Sequence, residues 1–408
     1  MKIKVGVIFG GETVEHEVSI ITAVQAMEFM DKEKYEIVPI YISKDRTWYT
    51  GEMLKDMEVY RDFNHLKKYA KKVVLLKKDG RFCLQKTHGF LKSVVTDLDI
   101  AFPIVHGKGV EDGSIAGYLE MVGIPYVGPG ILGASIGQDK VALKQILEAN
   151  HLPIPEYTWF YDFEYLNDSS NILKQIDALG YPVIVKPACL GSSIGITIAK
   201  EKEEIDSAIR EAIQYERKII VEKMIPNLLE VDCAILGNYE YQETSLVGEM
   251  ITNNDFLTFD DKYMAEGSKG KMGAKNGKLS SGKISTAGFS IPANIDKKMT
   301  EEIYQISKDA FRALNLSGVT RFDFLIDKKA KKIYINEPNT IPGCLSFFFF
   351  TPKGKEYTKL LDELINYAIK DYKAKDRKVT SFDSNILSTF HGSKGAKGVK
   401  GKMNYTGK

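Results

Sequence analysis

The sequence predicts an α/β fold, and three stretches carry the prediction. An apolar run over residues 3–9 is a predicted strand that ends in two glycines, and a helix over about 18–30 follows it. Pro153 and Pro155 then indicate a domain boundary before a second unit of strands and helices. Apolar residues alternate along 321–343 in the pattern of a β-hairpin. With 408 residues, the chain has room for two or three domains or subdomains.

The composition is that of a soluble globular protein without a strongly charged partner. The formal net charge is +2 at pH 7, so we expect neither nucleic acid nor a membrane as a partner. The four cysteines lie far apart without a C-x-x-C pair, which disfavours a zinc site or a disulfide framework and fits a reducing cytosol. The first apolar run is too short for a signal peptide, and no run approaches the roughly 18 residues of a membrane span. We therefore expect a cytoplasmic protein.

Polar side chains of the predicted hairpin form the first candidate site. Because successive side chains of a strand point to opposite faces, Arg321 and Asp323 share one face, while Glu337 and Asn339 leave the second strand pointing the same way. Carboxylate and amide oxygens are ligands that Mg²⁺ or Mn²⁺ prefers, with water and substrate phosphates completing the coordination. Asp323, Glu337 and Asn339 therefore predict a nucleotide-metal site. The alternative is a surface hairpin with ordinary polar decoration.

Two further groups of the same stretch fit the chemistry of such a site. Arg321 offers a fixed cation with planar donors for a phosphoryl group or a developing oxyanion. Pro342 and Gly343 predict a turn, and the N–H of Gly343 could face a reacting carbonyl. Both groups are expected to stabilise negative charge beside the metal.

The second α/β unit contains a predicted phosphate-binding turn. Lys186 ends a strand, and the sequence Gly-Ser-Ser-Ile-Gly follows at 191–195, which brings a point charge, hydroxyls and free N–H groups within a few residues. The alternative is a hairpin with a glycine turn. Further along, Glu222 and the apolar residues after it could recognise the edge and face of an adenine, with Glu230 on the ribose hydroxyls.

Two loops that follow predicted N-terminal strands carry candidate substrate-binding groups. Glu15 stands above the carboxyl end of the first strand, where open α/β sheets place their ligands, and could hold a substrate ammonium. The alternative is an acid at a helix start, favoured by the helix dipole. His106 and Glu111 follow another strand and could hold polar groups of the substrate. The alternative for His106 is a loop histidine bonded within the protein.

Two further segments are rich in glycine and lysine. The long polar segment 256–291 predicts a lid or disorder, because loops of this length rarely have another role. Residues 373–408 predict a disordered basic tail, with a nucleic-acid or lipid contact as the alternative.

Four separated segments together give the chain a family resemblance. They are Gly-Gly-Glu-Thr-Val-Glu-His-Glu-Val-Ser at 10–19, His-Gly-Lys-Gly-Val-Glu-Asp-Gly at 106–113, Lys-Pro at 186–187 with the turn 191–195, and Arg-x-Asp at 321–323 with Asn-Glu-x-Asn-Thr-x-Pro-Gly at 336–343. The chain resembles the ATP-grasp superfamily, and within it the D-alanine–D-alanine ligases and related D-Ala–D-X ligases. The match spans roughly residues 2–370, in the order and spacing of that family.

The resemblance implies an ATP-grasp fold in which two antiparallel sheets enclose ATP. It implies a substrate domain over 1–139, a central subdomain over 140–229 and a C-terminal subdomain over 230–372. It also implies ATP and two Mg²⁺ or Mn²⁺ ions as cofactors. The family is commonly dimeric, so the analogy predicts a homodimer that has small amino acids as its other partners.

The resemblance also assigns roles to individual residues. Asp323, Glu337 and Asn339 would bind the metals, and Arg321 and the N–H of Gly343 would form an oxyanion hole. Lys140 and Lys186 would contact phosphates, and adenosine would be lined by Glu222, Lys223, Ile225 and Glu230. Glu15 would hold the ammonium of the first amino acid, and His106 and Glu111 are further candidate substrate residues. Ser192 and Ser193 would lie in the glycine-rich lid, and Lys262 and Tyr263 would belong to the loop that closes the site. Ser192 and Tyr263 join Glu15, Arg321 and Gly343 as candidate catalytic residues.

The implied activity is ATP-dependent joining of two D-amino acids through an acyl phosphate, in peptidoglycan precursor synthesis. One departure from the family pattern is Phe348, which stands where a serine usually helps to hold the second amino acid. From it we expect an acceptor that is bulkier or less polar than D-alanine. The alternatives are therefore a ligase with another acceptor and a nucleotide-binding homologue that has lost turnover.

Overall fold

The computed structural model of the protein describes residues 2–89, 93–191, 194–251, 284–286, 288–381 and 383–385. Within these residues, seventeen strands form three sheets of seven, four and six strands. The sheets follow one another along the chain. The first has three adjacent parallel strands at one end of its strand order, the other two are antiparallel, and helices accompany all three, which confirms the predicted α/β class.

The first sheet contains the strands β1 (Ile3–Gly10), β2 (Tyr35–Ile42), β3 (Trp48–Thr50), β4 (Lys71–Lys78), β5 (Arg81–Lys86), β6 (Val94–Leu98) and β7 (Ile100–Ile104). Their order is β6-β5-β4-β3-β2-β1-β7, and β1 pairs in parallel with both β2 and β7. The last six residues of β1 are buried, as expected for a central strand that is covered on both faces. The helices of this region are α1 (His16–Phe29), α2 (Phe63–Tyr69), α3 (Ser114–Val122) and α4 (Ile131–Gln138), with 3₁₀ turns at Glu52–Lys55 and Met57–Arg61.

Helix α5 (Lys140–Ala149) connects the first sheet to the second. Asp139 caps it by accepting hydrogen bonds from the N–H groups of Val141 and Ala142. The second sheet contains β8 (Tyr157–Tyr161), β9 (Val183–Pro187), β10 (Thr197–Ala199) and β11 (Lys218–Lys223), in the order β10-β9-β11-β8. It is accompanied by α6 (Asp162–Asn167), α7 (Ser170–Leu179), α8 (Ile205–Ile213) and a 3₁₀ turn at Lys202–Glu204.

The third sheet contains β12 (Leu228–Gly237), β13 (Gln242–Met250), β14 (Ile284–Thr286), β15 (Phe289–Ile291), β16 (Gly318–Asp327) and β17 (Lys332–Asn339). Their order is β14-β15-β13-β12-β16-β17. Helix α9 (Lys297–Ala313) buries Ile303 and Phe311 in one core with β12 and β16. Leu143 and Leu147 of α5 join the same core, so this helix belongs to the third sheet as much as to the second.

The predicted hairpin 321–343 is confirmed as β16 and β17. Phe322 and Phe324 are buried, whereas Arg321 and Asp323 between and beside them are half-buried on the other face. The pairing shifts by one residue after Asp323, so the second strand contains a β-bulge at this point.

The C-terminal part returns to the first sheet. A 3₁₀ turn at Gly343–Ser346 leads into α10 (Phe347–Phe350), a 3₁₀ turn at Thr351–Lys353 and the long helix α11 (Tyr357–Asp376). Leu360, Leu361, Leu364 and Ile365 of α11 lie in one core with β1 and β7. None of the described helices is long and apolar enough to cross a membrane.

The tail is predicted to begin at residue 373. This start is wrong by four residues, because α11 continues through 373–376. Tyr372 donates a hydrogen bond to the carbonyl of Gly123 at 3.1 Å, and Lys375 forms an ion pair with Glu120 of α3. Lys373 and Lys375 also suit the negative end of the helix dipole. The prediction for 386–408 lies outside the described residues.

Candidate active site

A cavity of about 700 Å³ lies where the second and third sheets meet. Its walls come from the end of β11, the start of β12 and the end of β13, together with the segment 180–182. Lys223, Ile225 and Glu230 line the cavity, and Met224 and Met250 add apolar surface. A mixed apolar and polar cleft of this size suits a nucleoside. Three of the four residues predicted to contact adenosine therefore share one cavity.

Glu222, the fourth predicted adenosine residue, is turned inward. It is 2% exposed, and its two carboxylate oxygens pair with Lys186 at 2.9 Å and Lys144 at 3.3 Å. Burial alone would raise the pKa of Glu222, but the two ammonium groups outweigh this effect and hold that pKa below its usual value. The structure therefore presents the Glu222 carboxylate to two lysines rather than to the cavity.

The two predicted phosphate lysines connect the second sheet to the hairpin. Lys140, at the start of α5, lies 3.2 Å from Glu337 and donates a hydrogen bond to the carbonyl of Leu190 at 2.8 Å. Lys186, on β9, also donates to the side-chain oxygen of Asn336 at 3.3 Å. Burial opposes the charge of Lys186, but the Glu222 and Glu337 carboxylates raise its pKa. Both cations thus meet the hairpin at its polar face.

The three predicted metal ligands lie together on that face. Asp323 pairs with Glu337 across the hairpin, and the Asn339 amide donates to Asp323 Oδ2 at 3.0 Å. Arg321 makes two hydrogen bonds with Asp323, at 2.8 Å and 3.0 Å, and lies 3.0 Å from Asp232. These oxygens fit a hard divalent cation, provided that Arg321 and Lys140 yield their carboxylates and the Asn339 amide turns its oxygen inward.

The carboxylates of this face have cationic side chains as partners. Within the described ranges, no cluster of three or more His, Cys, Asp or Glu side chains could hold a metal ion. The predicted metal ligands Asp323, Glu337 and Asn339 do not form such a cluster, because the third of them is an amide. Arginine and lysine therefore supply the positive charge in this arrangement.

The N-terminal loops bring Glu15, His106 and Glu111 together. A Cβ atom on Gly107 would lie 2.2 Å from Thr13 Oγ1 and 2.8 Å from Glu15 Oε2, so only glycine allows this approach. Burial lowers the pKa of His106, and the nearby Glu15 carboxylate opposes that shift. Burial and the same carboxylate raise the pKa of Glu111 to about 7.

Glu111 does not pair with His106. It binds the main chain on both sides instead. One of its oxygens accepts from the N–H of Gly107 at 2.9 Å. The other accepts from the Thr340 hydroxyl at 2.9 Å and from the N–H of Ile341 at 3.0 Å. His106 also bonds the main chain of Ile341. Both residues therefore connect the N-terminal loop to the end of the hairpin. This agrees with the alternative interpretation of His106 as a loop histidine bonded within the protein.

The turn after the hairpin has an unusual backbone. Gly343 begins a 3₁₀ turn, so its N–H has no partner within that turn. Cys344, Leu345 and Ser346 then adopt φ values of 51°, 49° and 50°, a left-handed conformation that costs energy for residues with a Cβ atom. The N–H of Cys344 donates to Thr22 Oγ1 of α1 at 3.1 Å. Packing against α1 thus holds the turn beside the site.

Phe348 lies in an aromatic group rather than in a polar one. Its ring centroid is 4.7 Å from that of Phe349 and 5.9 Å from that of Phe289 on β15. The side chain is half-buried. Four predicted residues, Ser192, Ser193, Lys262 and Tyr263, lie outside the described residues.

Sequence reasoning missed three residues of this region. Lys144 lies one helical turn after Lys140, so the spacing alone could have placed both on one face of α5. Asp232 pairs with Arg321 from the neighbouring strand β12, which no local pattern reveals. Asn336 reaches Lys186 because of the β-bulge, which strict alternation does not anticipate.

Comparison with known proteins covers nearly the whole chain. Family models described as the N-terminus and the C-terminus of D-ala D-ala ligase match residues 4–129 and 146–366. A D-alanine--D-alanine ligase from Thermosipho melanesiensis is 38% identical over 387 residues, which cover 94% of this chain and 98% of the relative. One from Natranaerobius thermophilus is 35% identical over 390 residues, covering 94% and 100%.

Solved structures agree with the sequence relatives. The D-alanine-D-alanine ligase from Coxiella burnetii superposes with a TM-score of 0.76 at 26% identity, covering 92% of this chain and 96% of that one. The VanG D-Ala:D-Ser ligase from Enterococcus faecalis gives a TM-score of 0.74 at 28% identity, covering 90% and 100%. The three sheets and the cleft between the last two define an ATP-grasp protein. Within that class, the chain belongs to the D-alanine–D-alanine ligase family.

Proposed function

We propose that this protein is an ATP-dependent ligase that joins two D-alanine molecules for peptidoglycan precursor synthesis. The observation that carries the proposal is the pairing across the site, where Lys140 bonds Glu337 and Lys186 bonds Asn336. The first pair joins a lysine suited to phosphates with Glu337, a predicted metal ligand, and the second brings another such lysine to the residue beside it. A metal-bound triphosphate can therefore replace both sets of contacts at once. The substrates are those named for the relatives.

The nucleoside of ATP would occupy the cavity between the second and third sheets. Ile225 offers an apolar surface to the base, while Lys223 and Glu230 supply polar groups at the wall. From there the phosphates would extend toward Lys140 and Lys186. Ser192 and Ser193, in the glycine-rich turn, and Lys262 and Tyr263 are proposed to close over them.

Two Mg²⁺ or Mn²⁺ ions would be held by Asp323, Glu337 and Asn339. When bound, such ions spread the charge of the phosphoryl group that is transferred. Arg321, released from Asp323, would face the same group as a fixed cation. The fit rests on three hard oxygen donors that share one face of the hairpin.

The chemistry follows from the weakness of a carboxylate as an electrophile. A carboxylate oxygen of the first D-alanine takes the γ-phosphoryl group of ATP, and ADP leaves. The amine of the second D-alanine then attacks the carbonyl carbon of the acyl phosphate, loses a proton, and expels phosphate. Glu15 would hold the ammonium of the first amino acid, with His106 and Glu111 fixing its loop. Arg321 and the N–H of Gly343 would stabilise the oxyanion of the tetrahedral intermediate.

Phe348 favours a second candidate, a ligase with a different acceptor. The aromatic group of Phe289, Phe348 and Phe349 offers apolar surface near the position of the usual serine. Such a surface suits an acceptor that is bulkier or less polar than D-alanine. ATP-dependent phosphate release with a panel of D-amino acids decides between the candidates. A strong preference for D-alanine would exclude the second one.

The finer calls on organisation are part of the same proposal. We propose subdomains over 1–139, 140–229 and 230–372, because each range contains one of the three sheets apart from the first two residues of β12. A homodimer and a cytoplasmic location are proposed by analogy with the family. Light scattering of the purified protein measures the oligomeric state. A monomeric mass would contradict the dimer without affecting the activity.

The test of the proposed reaction is product analysis. Purified protein, ATP, Mg²⁺ and D-alanine should give D-alanyl-D-alanine, ADP and phosphate in equal amounts, detected by mass spectrometry and a phosphate assay. L-alanine serves as the control substrate and should give no dipeptide. ATP hydrolysis without a dipeptide from any amino acid would contradict the proposal.

A further inference from the structure

A completely buried lysine that none of these roles uses lies behind the candidate phosphate site. Lys144 of α5 is 0% exposed, and its Nζ lies 3.3 Å from Oε1 of Glu222. The Nζ of Lys186 lies 2.9 Å from Oε2 of the same carboxylate. One buried carboxylate thus stands between two buried ammonium groups.

The charges of this cluster do not cancel. A buried ammonium is costly unless it is paired, and a single carboxylate cannot fully neutralise two of them. The side chain of Asn336, which accepts from Lys186 at 3.3 Å, is neutral. Consistent with this imbalance, burial lowers the pKa of Lys144 even though Glu222 opposes the shift. The two lysines and Glu222 together carry one excess positive charge, and the next carboxylate that acts on both lysines, that of Glu337, is already paired with Lys140.

The position of Lys144 on α5 determines where the excess positive charge lies. Lys140 and Lys144 are one helical turn apart, so a single helix directs one lysine to Glu337 and the other to Glu222. Asp139 caps the start of this helix through the N–H groups of the first turn. The helix therefore fixes Lys144 relative to Lys140, and the shared Glu222 carboxylate fixes it relative to Lys186. These are the two lysines proposed to face the phosphates.

We propose that Lys144 is a positioning residue for ATP. It binds one oxygen of Glu222 and thereby leaves Lys186 only partly neutralised, so that Lys186 remains available to a triphosphate. The inference rests on the proposed function, because it takes Lys186 to bind phosphate. Without Lys144, Glu222 and Lys186 would form a closed neutral pair, and the attraction for a polyanion would fall.

The test measures the affinity for ATP by calorimetry in the absence of amino acids. Lys144→Met should weaken ATP binding at least tenfold, while the thermal midpoint of the ligand-free protein stays the same or rises, because a poorly paired buried charge is removed. Adding Glu222→Gln restores the single positive charge, so the double variant should bind ATP within about threefold of the original protein. Lys202→Met, which removes an exposed lysine of the same subdomain, is the control and should change nothing.

Two results would overturn the inference. One is Lys144→Met binding ATP as tightly as the original protein, and the other is a double variant no better than Lys144→Met. If Lys144→Met does not fold, the double variant decides alone, and tenfold weaker ATP binding by it refutes the role. Failure of the original protein to bind ATP would instead contradict the proposed function.

Discussion

The two halves of the candidate site are held in place by different forces. The nucleotide half, on β16 and β17, consists of ion pairs such as Arg321 with Asp323 and Lys140 with Glu337. The amino-acid half, on the N-terminal loops, is held by hydrogen bonds between Glu111 and the main chain of Gly107 and Ile341. The first half is thus built from groups that a charged ligand can separate. The second half, which we call the frame, is held in place by these hydrogen bonds of Glu111 with the main chain.

The difference indicates what each half must do during a reaction. A metal-bound triphosphate brings charges of both signs, so it can exchange with the ion pairs at little electrostatic cost. A small amino acid brings few contacts, so its position must be set in advance by the protein. Substitutions in the nucleotide half should therefore affect turnover more than stability. Substitutions in the frame should affect both.

The largest effect is expected at the metal ligands. Glu337→Ala removes one of the three proposed oxygen ligands, and ATP turnover should fall by about a thousandfold or more. Because Glu337 is partly exposed and in an ion pair, the thermal midpoint should shift by no more than a few degrees. Phosphate release and calorimetry measure the two quantities, with the exposed Glu302→Ala as the matched control. Unchanged turnover would remove the metal assignment.

An intermediate effect is expected at Gly107, in the frame. Gly107→Ala places a methyl group where Thr13 Oγ1 and Glu15 Oε2 now lie, at a φ of +87°. The KM for D-alanine should rise about tenfold, and the free energy of unfolding should fall by about 1–3 kcal/mol. Gly117→Ala, in helix α3 with open space around it, is the control and should be neutral or stabilising. A substitution at Gly107 that changes neither quantity would show that the frame is not rigid.

The smallest effect on activity is expected at Glu111, where the prediction concerns the pH dependence of stability. The pKa of Glu111 is about 7 in the folded protein against an ordinary value of 4.5, so the folded state binds the extra proton between these pH values. The free energy of unfolding should therefore fall as the pH rises through this window, by roughly 3 kcal/mol in total. Glu111→Gln keeps an acceptor oxygen but cannot ionise, so its stability should lack this slope. Denaturation at several pH values measures it, and parallel curves for the two proteins would contradict the assignment.

Local patterns in the sequence were sufficient for the hairpin and its polar face. Strict alternation separates Phe322 and Phe324 from Arg321 and Asp323 and places Glu337 on the same face as Asn339, whereas the register of Asp323 with Glu337 is set by the β-bulge. The same reasoning fails at Glu222. Its partners Lys144 and Lys186 come from a helix and another strand, and only tertiary packing decides that both lysines face one carboxylate.

Two other features could not be predicted for different reasons. The left-handed residues 344–346 carry side chains, and no sequence pattern assigns such a conformation to three consecutive residues other than glycine. The extension of α11 depends on contacts of Tyr372 and Lys375 with the distant end of α3. Charge and glycine content were the only local signals there, and they favoured a tail.

The left-handed turn has a consequence for how two substrates meet. Glu15 stands at the amino end of α1, while Thr22, further along the same helix, anchors the main chain just after Gly343. In the proposed function, one helix therefore sets the distance between the residue that holds the ammonium of the first amino acid and the N–H that polarises its carbonyl. The distance between Glu15 and the anchor at Thr22 is set by the rise of a helix and is independent of any movement of the surrounding loops.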